Sequence, residues 1–307
     1  MKALHHHLKL VNYQPQHQPY FERFNKDWIE KYFKLEPIDV QVLENPDEHI
    51  LKPGGAILVA ELENQPVGVV ALKKLEEGIF EMTKMAVADR WQGRKFGQAL
   101  GEGILEKAQE MKAQKVILYS QTNLNAAVNM YRKLGFQESR QIDGVYARCN
   151  IKMEIDFARH RYLQEQAQQL HRTVDVFLNK TIRLGIAWHS KKEFRKWSPI
   201  EIIGHLIDSA ANNHQRFIFA QAGNALHYPA YNQDFWVSTH NYFHLPTEQL
   251  LEFWRQYNYF LCEVIKNIRY EALDVPCTIG DAQPVPLRTL IEDYQAHLQH
   301  HLSQIVP

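Results

Sequence analysis

Apolar and polar positions alternate along this chain in two different rhythms, and the change comes near residue 156. Before it, apolar runs of strand length are interleaved with stretches of helical period. The pattern predicts strands over Leu8–Tyr13, Ala56–Glu63, Val67–Leu75, Ile79–Val87, Val116–Ser120, Phe136–Arg140 and Tyr146–Ile155, with Asn64-Gln65-Pro66 turning the chain between the second and third. It predicts helices over Tyr20–Phe33, Ile38–Leu43, Phe96–Lys112 and Ala126–Leu134. After residue 156 the strand signal nearly vanishes. Four amphipathic stretches take over, about Ala158–Phe177, Pro199–Ala222, Glu248–Ile268 and Leu287–Ile305, and their lengths suit a bundle. The reading is an α+β domain over residues 1–155 followed by an all-α four-helix bundle domain over residues 156–307. A chain of 307 residues is also too long for one ordinary core.

Charge narrows the function classes. Lys plus Arg number 35 and Asp plus Glu number 35, so no general attraction to nucleic acid or to a membrane surface is expected. No apolar run approaches the roughly 20 residues of a membrane span, and the N-terminus reads as lacking a signal peptide. Cys149, Cys262 and Cys277 are too few and too scattered for a disulfide framework, which points to reduced thiols in a cytoplasm.

The first half concentrates its chemistry in Arg90-Trp91-Gln92-Gly93-Arg94-Lys95-Phe96-Gly97, which joins a predicted strand to a helix N-terminus. Unpaired N–H groups and the helix dipole favour an anion at such a junction. Gly93 and Gly97 let backbone approach a phosphate, and Arg94 and Lys95 add positive charge. Gly101-Glu102-Gly103 looks like the start of a dinucleotide fingerprint, but it lies inside the predicted helix and lacks the third glycine.

The segment Gln92-Gly93-Arg94-Lys95-Phe96-Gly97 resembles the Q/R-x-x-G-x-G/A motif of the GNAT superfamily of N-acetyltransferases, with Lys95 where the central glycine usually sits. Ala127-Val128-Asn129-Met130-Tyr131-Arg132-Lys133-Leu134-Gly135-Phe136 is similar to that family's A-x-x-x-Y-x-x-x-G-F ending. The resemblance implies a mixed central sheet flanked by helices and acetyl-CoA as co-substrate. It implies that the pantetheine arm pairs with Met85, Ala86 and Val87, and that the pyrophosphate lies on Gln92, Gly93, Arg94, Lys95, Phe96 and Gly97. A CoA-contacting Asn of the motif falls on Leu124 here, flanked by Asn123 and Asn125. Tyr131 would protonate the departing thiolate, and Glu81, four residues before Met85, stands where several members place the base. The alternatives are a packed aromatic for Tyr131 and a salt-bridged strand carboxylate for Glu81.

In the second half, Trp197-Ser198-Pro199-Ile200-Glu201 reads as a helix start with a capping box. Downstream, His205, Ser209, Asn212 and Arg216 follow 4-3-4 spacing, a single polar stripe. In the last predicted helix His297 and His301 are one turn apart in the apolar stripe, the spacing a metal takes from one helix, whereas His300 points aside. A hydrogen-bonded core network is the bland alternative. His205-x-x-Asp208-Ser209, His297-x-x-x-His301 and Tyr231-Asn232-Gln233-Asp234-Phe235-Trp236 resemble the DinB-like superfamily, many of whose members hold one divalent metal. The resemblance implies His205, His297 and His301 as ligands for Zn²⁺, Ni²⁺ or Fe²⁺, with Asp208, Asn212 and Asn213 behind them.

Three functions remain in view. The first is acyl transfer from CoA to a small-molecule or peptide amine. The second makes the bundle the active part, a metal-dependent thiol transferase or hydrolase, with the first domain regulatory. The third is a non-catalytic acyl-CoA sensor whose bundle serves a homodimer.

Overall fold

The computed structural model describes residues 8–139, 149–191 and 196–306. The predicted strand positions Arg140 and Tyr146–Arg148 lie outside them. The chain forms two compact units that divide between Ala158 and Arg159.

The first unit begins with β1 (Leu8–Asn12), α1 (Gln18–Tyr32), α2 (Pro37–Glu44), β2 (Ala56–Leu62), β3 (Gln65–Glu76) and β4 (Ile79–Val87). It continues with α3 (Phe96–Glu110), β5 (Lys115–Ser120), α4 (Asn125–Lys133), β6 (Gln137–Glu138) and β7 (Ile151–Asp156). The strands make one seven-stranded sheet in the order β1-β2-β3-β4-β5-β7-β6. It is mixed, because β4 and β5 run parallel while their neighbours are antiparallel. Strands buried on both faces read as continuous apolar runs, and β2 shows how they divide. Ala56, Leu58, Ala60 and Leu62 face the core beneath α3 and α4, while Ile57 and Val59 face the core that holds Phe21 and Ile29 of α1. The glycines that mimic a dinucleotide fingerprint have a packing role in α3. A Cβ at Gly101 would lie 2.4 Å from Leu134 and one at Gly103 2.3 Å from Leu10.

The second unit is built on four long helices, α5 (Phe157–Leu184), α6 (Pro199–Phe219), α8 (Thr247–Lys266) and α9 (Leu287–Ile305). Its core centres on Trp254, Phe217 and Tyr294, and the Tyr294 hydroxyl donates to Asn258 Oδ1 at 2.6 Å. The helical half carries more than the periodicity predicts. A short α7 (Gln233–His240) follows the Asn232 cap, and β8 (Leu226–Tyr228), β9 (Pro276–Ile279) and β10 (Val285–Pro286) form a small sheet. Strands this short hold too few residues for an alternation to register.

No helix among the described residues is long and apolar enough to cross a membrane.

Candidate functional sites

The first site is an opening in the sheet. β4 and β5 pair only at Ile79–Lys115, Phe80–Val116 and Glu81–Ile117. Beyond that point a cavity opens whose walls include Met82–Met85 of β4 and Tyr119–Gln121 at the end of β5. A bulge accompanies it: Val69 faces Ala86 and Ala71 faces Thr83, so two residues of β4, Lys84 and Met85, stand opposite Val70. Lys84 absorbs the extra residue with φ at +50°. The bulge resets the alternation, so that Phe80, Met82, Met85 and Val87 all turn toward the α3 side.

A groove of about 670 Å³ leads from this opening to the start of α3. Its walls include Met85, Ala86, Val87, Gln92, Gly93, Lys95, Phe96, Gly97, Asn123 and Asn125. Arg94 is absent from these walls, and its guanidinium lies over the Trp91 ring at 4.7 Å. Gln92 does double work in the loop, its amide donating to Val87 O at 3.2 Å and to Asp89 Oδ1 at 2.8 Å. Leu124 also lines the groove, between the two asparagines.

Tyr131 lines both the groove and the deeper cavity, and so do Trp28, Met85, Leu124 and Ala127. Its ring packs edge-on against Phe136 with centroids 6.2 Å apart. Burial, reinforced by nearby Cys149, pushes the Tyr131 phenol up to about 12. It is therefore a hydrogen-bond donor at every physiological pH. Glu81 is 3 % exposed and lines neither space. Sequence reasoning missed Lys84, Asn25 and Gln121 in the cavity wall. The signal for the bulge was present, since Met82 and Met85 share a face at an odd spacing that no regular strand allows.

Lys95 caps α3 with φ at +63°, which explains the glycine preference of the position it occupies. A left-handed residue with a Cβ costs about 1–2 kcal/mol, offset in part by the greater entropy that glycine loses on folding. Lys95→Gly is expected to stabilise the first unit by about 0.5–1 kcal/mol in urea unfolding followed by hydrogen exchange of its sheet. A lower midpoint would mean that the lysine side chain holds the turn.

The second site lies in the second unit between α6 and α9. Ser198 and Glu201 close the capping box that starts α6, with Ser198 N–H donating to Glu201 Oε2 at 2.8 Å. His205 Nε2 lies 3.1 Å from His297 Nε2, and the ligand atoms of His205, His297 and His301 all lie within 4.8 Å of one another. Ser209 Oγ is 3.4 Å from His297 Nδ1, and Trp197 lies over His205 at 4.8 Å. His300 is exposed, with its ring beside Gln304.

Burial, then the neighbouring imidazoles, pushes His205 down to about 3 and His297 to about 4, and burial also lowers His301. All three rings are thus neutral at pH 7 and offer lone pairs. Among the described residues, Nδ1 of His205 and of His301 is buried with no hydrogen-bond partner. Tetrahedral ligation by imidazoles at about 2.0–2.1 Å separates the nitrogens by about 3.3 Å, within reach of this arrangement. The donor set fits a divalent cation.

Behind His205, the buried Asp208 carboxylate accepts from Tyr242 Oη at 2.7 Å and pairs with His240 Nδ1 at 3.1 Å. Gly204 makes this possible, because a Cβ there would lie 2.1 Å from the Tyr242 ring. Asn212 and Asn213 turn their amides back to the carbonyls of Asp208 and Ser209. His240 and Tyr242 were not read from the sequence, for they come from the connection between helices.

Residues 17–136 match the family model described as Acetyltransferase (GNAT) family, and residues 159–305 match that of the DinB superfamily. The chain is 32 % identical over 120 residues to an N-acetylaspartate synthetase of Xenopus tropicalis, covering 37 % of this chain and 44 % of that protein. It is 33 % identical over 93 residues to the N-acetylaspartate synthetase of Homo sapiens, covering 30 % and 31 % respectively. The chain thus spans less than half the length of these relatives. A GNAT-family acetyltransferase structure from Staphylococcus aureus Mu50 aligns over 48 % of this chain and 97 % of its own, at 19 % identity and a TM-score of 0.44.

Proposed function

From the premise that residues 17–136 form a GNAT acetyltransferase domain and residues 159–305 a DinB-superfamily domain, we propose that this chain transfers an acyl group, acetyl in the first instance, from CoA to a primary amine. One observation carries the reading. A continuous groove runs from the N-terminus of α3 past the unpaired stretch of β4 to Tyr131, where the sheet opens. Phosphates would lie at the helix terminus, beside Gly93, Lys95 and Gly97, and the thioester beside Tyr131.

In this reading the amine nitrogen attacks the thioester carbonyl directly. The C–N bond forms, the C–S bond breaks, and the electron pair leaves on sulfur. A backbone N–H within the Met85-Ala86-Val87 stretch, on the edge of β4 that β5 leaves unpaired, binds the oxygen as charge builds there. The Tyr131 hydroxyl donates to the departing sulfur, which leaves protonated, while the amine gives up its own proton. Because Glu81 lines neither space, that proton passes to water in the cavity, with Glu81 acting at most through such a water. Cys149 lines the cavity too, but direct transfer needs no acyl-cysteine.

The relatives are named for making N-acetylaspartate, which makes aspartate the first acceptor to try. The test is release of free CoA thiol by the full chain with acetyl-CoA and a panel of amines. No amine-dependent release would favour an acyl-CoA sensor or chemistry confined to the second unit. In the second unit, His205, His297 and His301 would hold one divalent metal, which would supply Lewis acidity there.

Gly97 tests the donor side. A Cβ at Gly97 would make only ordinary contacts, 3.5 Å from Met130 Sδ and 3.9 Å from Val87 Cγ2, so the fold accepts it. Yet Gly97 lines the groove, so the methyl group of Gly97→Ala takes space at the helix terminus meant for phosphate. Gly97→Ala is expected to weaken CoA binding about tenfold by calorimetry, and Gly97→Val more. Unchanged affinity would place the pyrophosphate elsewhere.

A further inference from the structure

The wall of the deeper cavity is unusual in its charges. Among the described residues that line it, Lys84 is the only ionic side chain, and no carboxylate is present. Its remaining polar groups are neutral and include Asn25, Ser120 and Gln121. Such a wall is a poor host for a polycation.

Lys84 is also held in place by its surroundings. Its backbone is left-handed at the bulge, with φ at +50°, a strain tolerated where the surroundings over-determine it. Its ammonium donates to Asp39 Oδ1 at 2.6 Å, and the two side chains are 7 % and 0 % exposed. A buried ion pair is weak evidence for stability, since desolvation offsets the attraction. Asp39 is tied down separately as the third residue of α2, where its other oxygen accepts from Glu36 N–H at 3.3 Å. Asp39 therefore fixes Lys84 rather than exhausting it. An ammonium has three N–H donors, and Asp39 is its one hydrogen-bond partner among the described residues.

Position decides what the other donors meet. Met85 and Tyr131 line both spaces, which puts the reacting thioester carbonyl at their junction. Lys84 lines the deeper space and not the groove that reaches the α3 terminus. Resting on the acyl-transfer reading above, we infer that Lys84 recognises a carboxylate on the acceptor amine. The acceptor is then a small amino-acid-like amine rather than a polyamine or a simple alkylamine. Lys84 is a specificity residue here, and the bonds made and broken are those already described.

The test compares paired acceptors with the full chain and acetyl-CoA, reading thiol release: L-aspartate against its diamide, β-alanine against propylamine, and spermidine. Wild type is expected to favour each carboxylate-bearing member by roughly 10–100-fold in kcat/KM, the scale of a charged hydrogen bond. Lys84→Met should raise KM for L-aspartate by a similar factor, with kcat and acetyl-CoA affinity little changed and the diamide unaffected. Because Asp39 would then be a buried charge without its partner, the double variant Lys84→Met with Asp39→Asn supplies a folded comparison. Equal use of L-aspartate and its diamide by wild type, or a preference for spermidine, overturns the inference while leaving acyl transfer standing. A KM that rises equally for the diamide shows a merely structural lysine and overturns it as well. Succinyl-CoA outpacing acetyl-CoA with propylamine would assign Lys84 to the acyl group instead. Thiol release that no amine of the panel accelerates refutes the transferase reading itself, and this inference with it.

Discussion

Tyr131→Phe is expected to bind acetyl-CoA as tightly as the parent and to turn it over roughly 10²–10⁴-fold more slowly, the usual scale of a lost proton donor. That range corresponds to about 3–5 kcal/mol of barrier. The substitution is mild for the fold, since a phenyl ring keeps the edge-on contact with Phe136 and only the hydroxyl is removed. It is severe for the chemistry because that hydroxyl sits where the groove meets the cavity and burial holds it protonated. The sign of its pH dependence follows. A phenol raised to about 12 stays in its acid form below that pH, so no fall in rate between pH 6 and 10 should come from Tyr131. Any limb seen there belongs to the amine or to a carboxylate, and it should survive in Tyr131→Phe. Stopped-flow thiol release, with CoA affinity from calorimetry, separates the two quantities. Unchanged kcat in the variant would make water the acid and leave Tyr131 as packing.

Regular elements were legible because burial imposes a period. β4 and α9 were read with the bounds they have in the structure, Ile79–Val87 and Leu287–Ile305, since both carry long uninterrupted patterns. The strand-to-helix turn was legible through Gly93 and Gly97, and both line the groove. What escaped were features made by irregular backbone. The bulge at Lys84 breaks an alternation by one residue, and a polar residue inside an apolar strand reads as a solvent-facing position. Instead Lys84 is buried against Asp39 of α2, a pairing 45 positions apart that no local pattern encodes. Tyr242 and His240 escaped for the same reason, since their partner Asp208 lies on another element. Arg94 shows the converse: a charge in the right motif turns instead onto Trp91.

The histidines of the second unit should behave as three plus one. Full-length chain purified without chelator is expected to carry, or to accept on loading with Zn²⁺ or Ni²⁺, about one ion per chain. His205→Ala, His297→Ala and His301→Ala should each lose most of it, because three ligands are the fewest that close a site with one open position. His300→Ala should keep it. Helix geometry is the reason: His297 and His301 are one turn apart on α9, while His300 is exposed. His205 reaches them from α6, already 3.1 Å from His297. Neutral rings need not release a proton to bind, and burial keeps all three neutral at pH 7. Ser209→Ala removes only the hydroxyl beside His297 Nδ1, so it should weaken the metal by less than any ligand loss, within the 10–100-fold of such outer contacts. Elemental analysis of the purified variants, with helicity checked by circular dichroism, decides the matter. A wild-type chain that cannot be loaded would make the cluster a hydrogen-bonded core in which one ring donates to the next. Metal lost from His300→Ala as well would place the ion on the outer face of α9, away from Trp197 and His205.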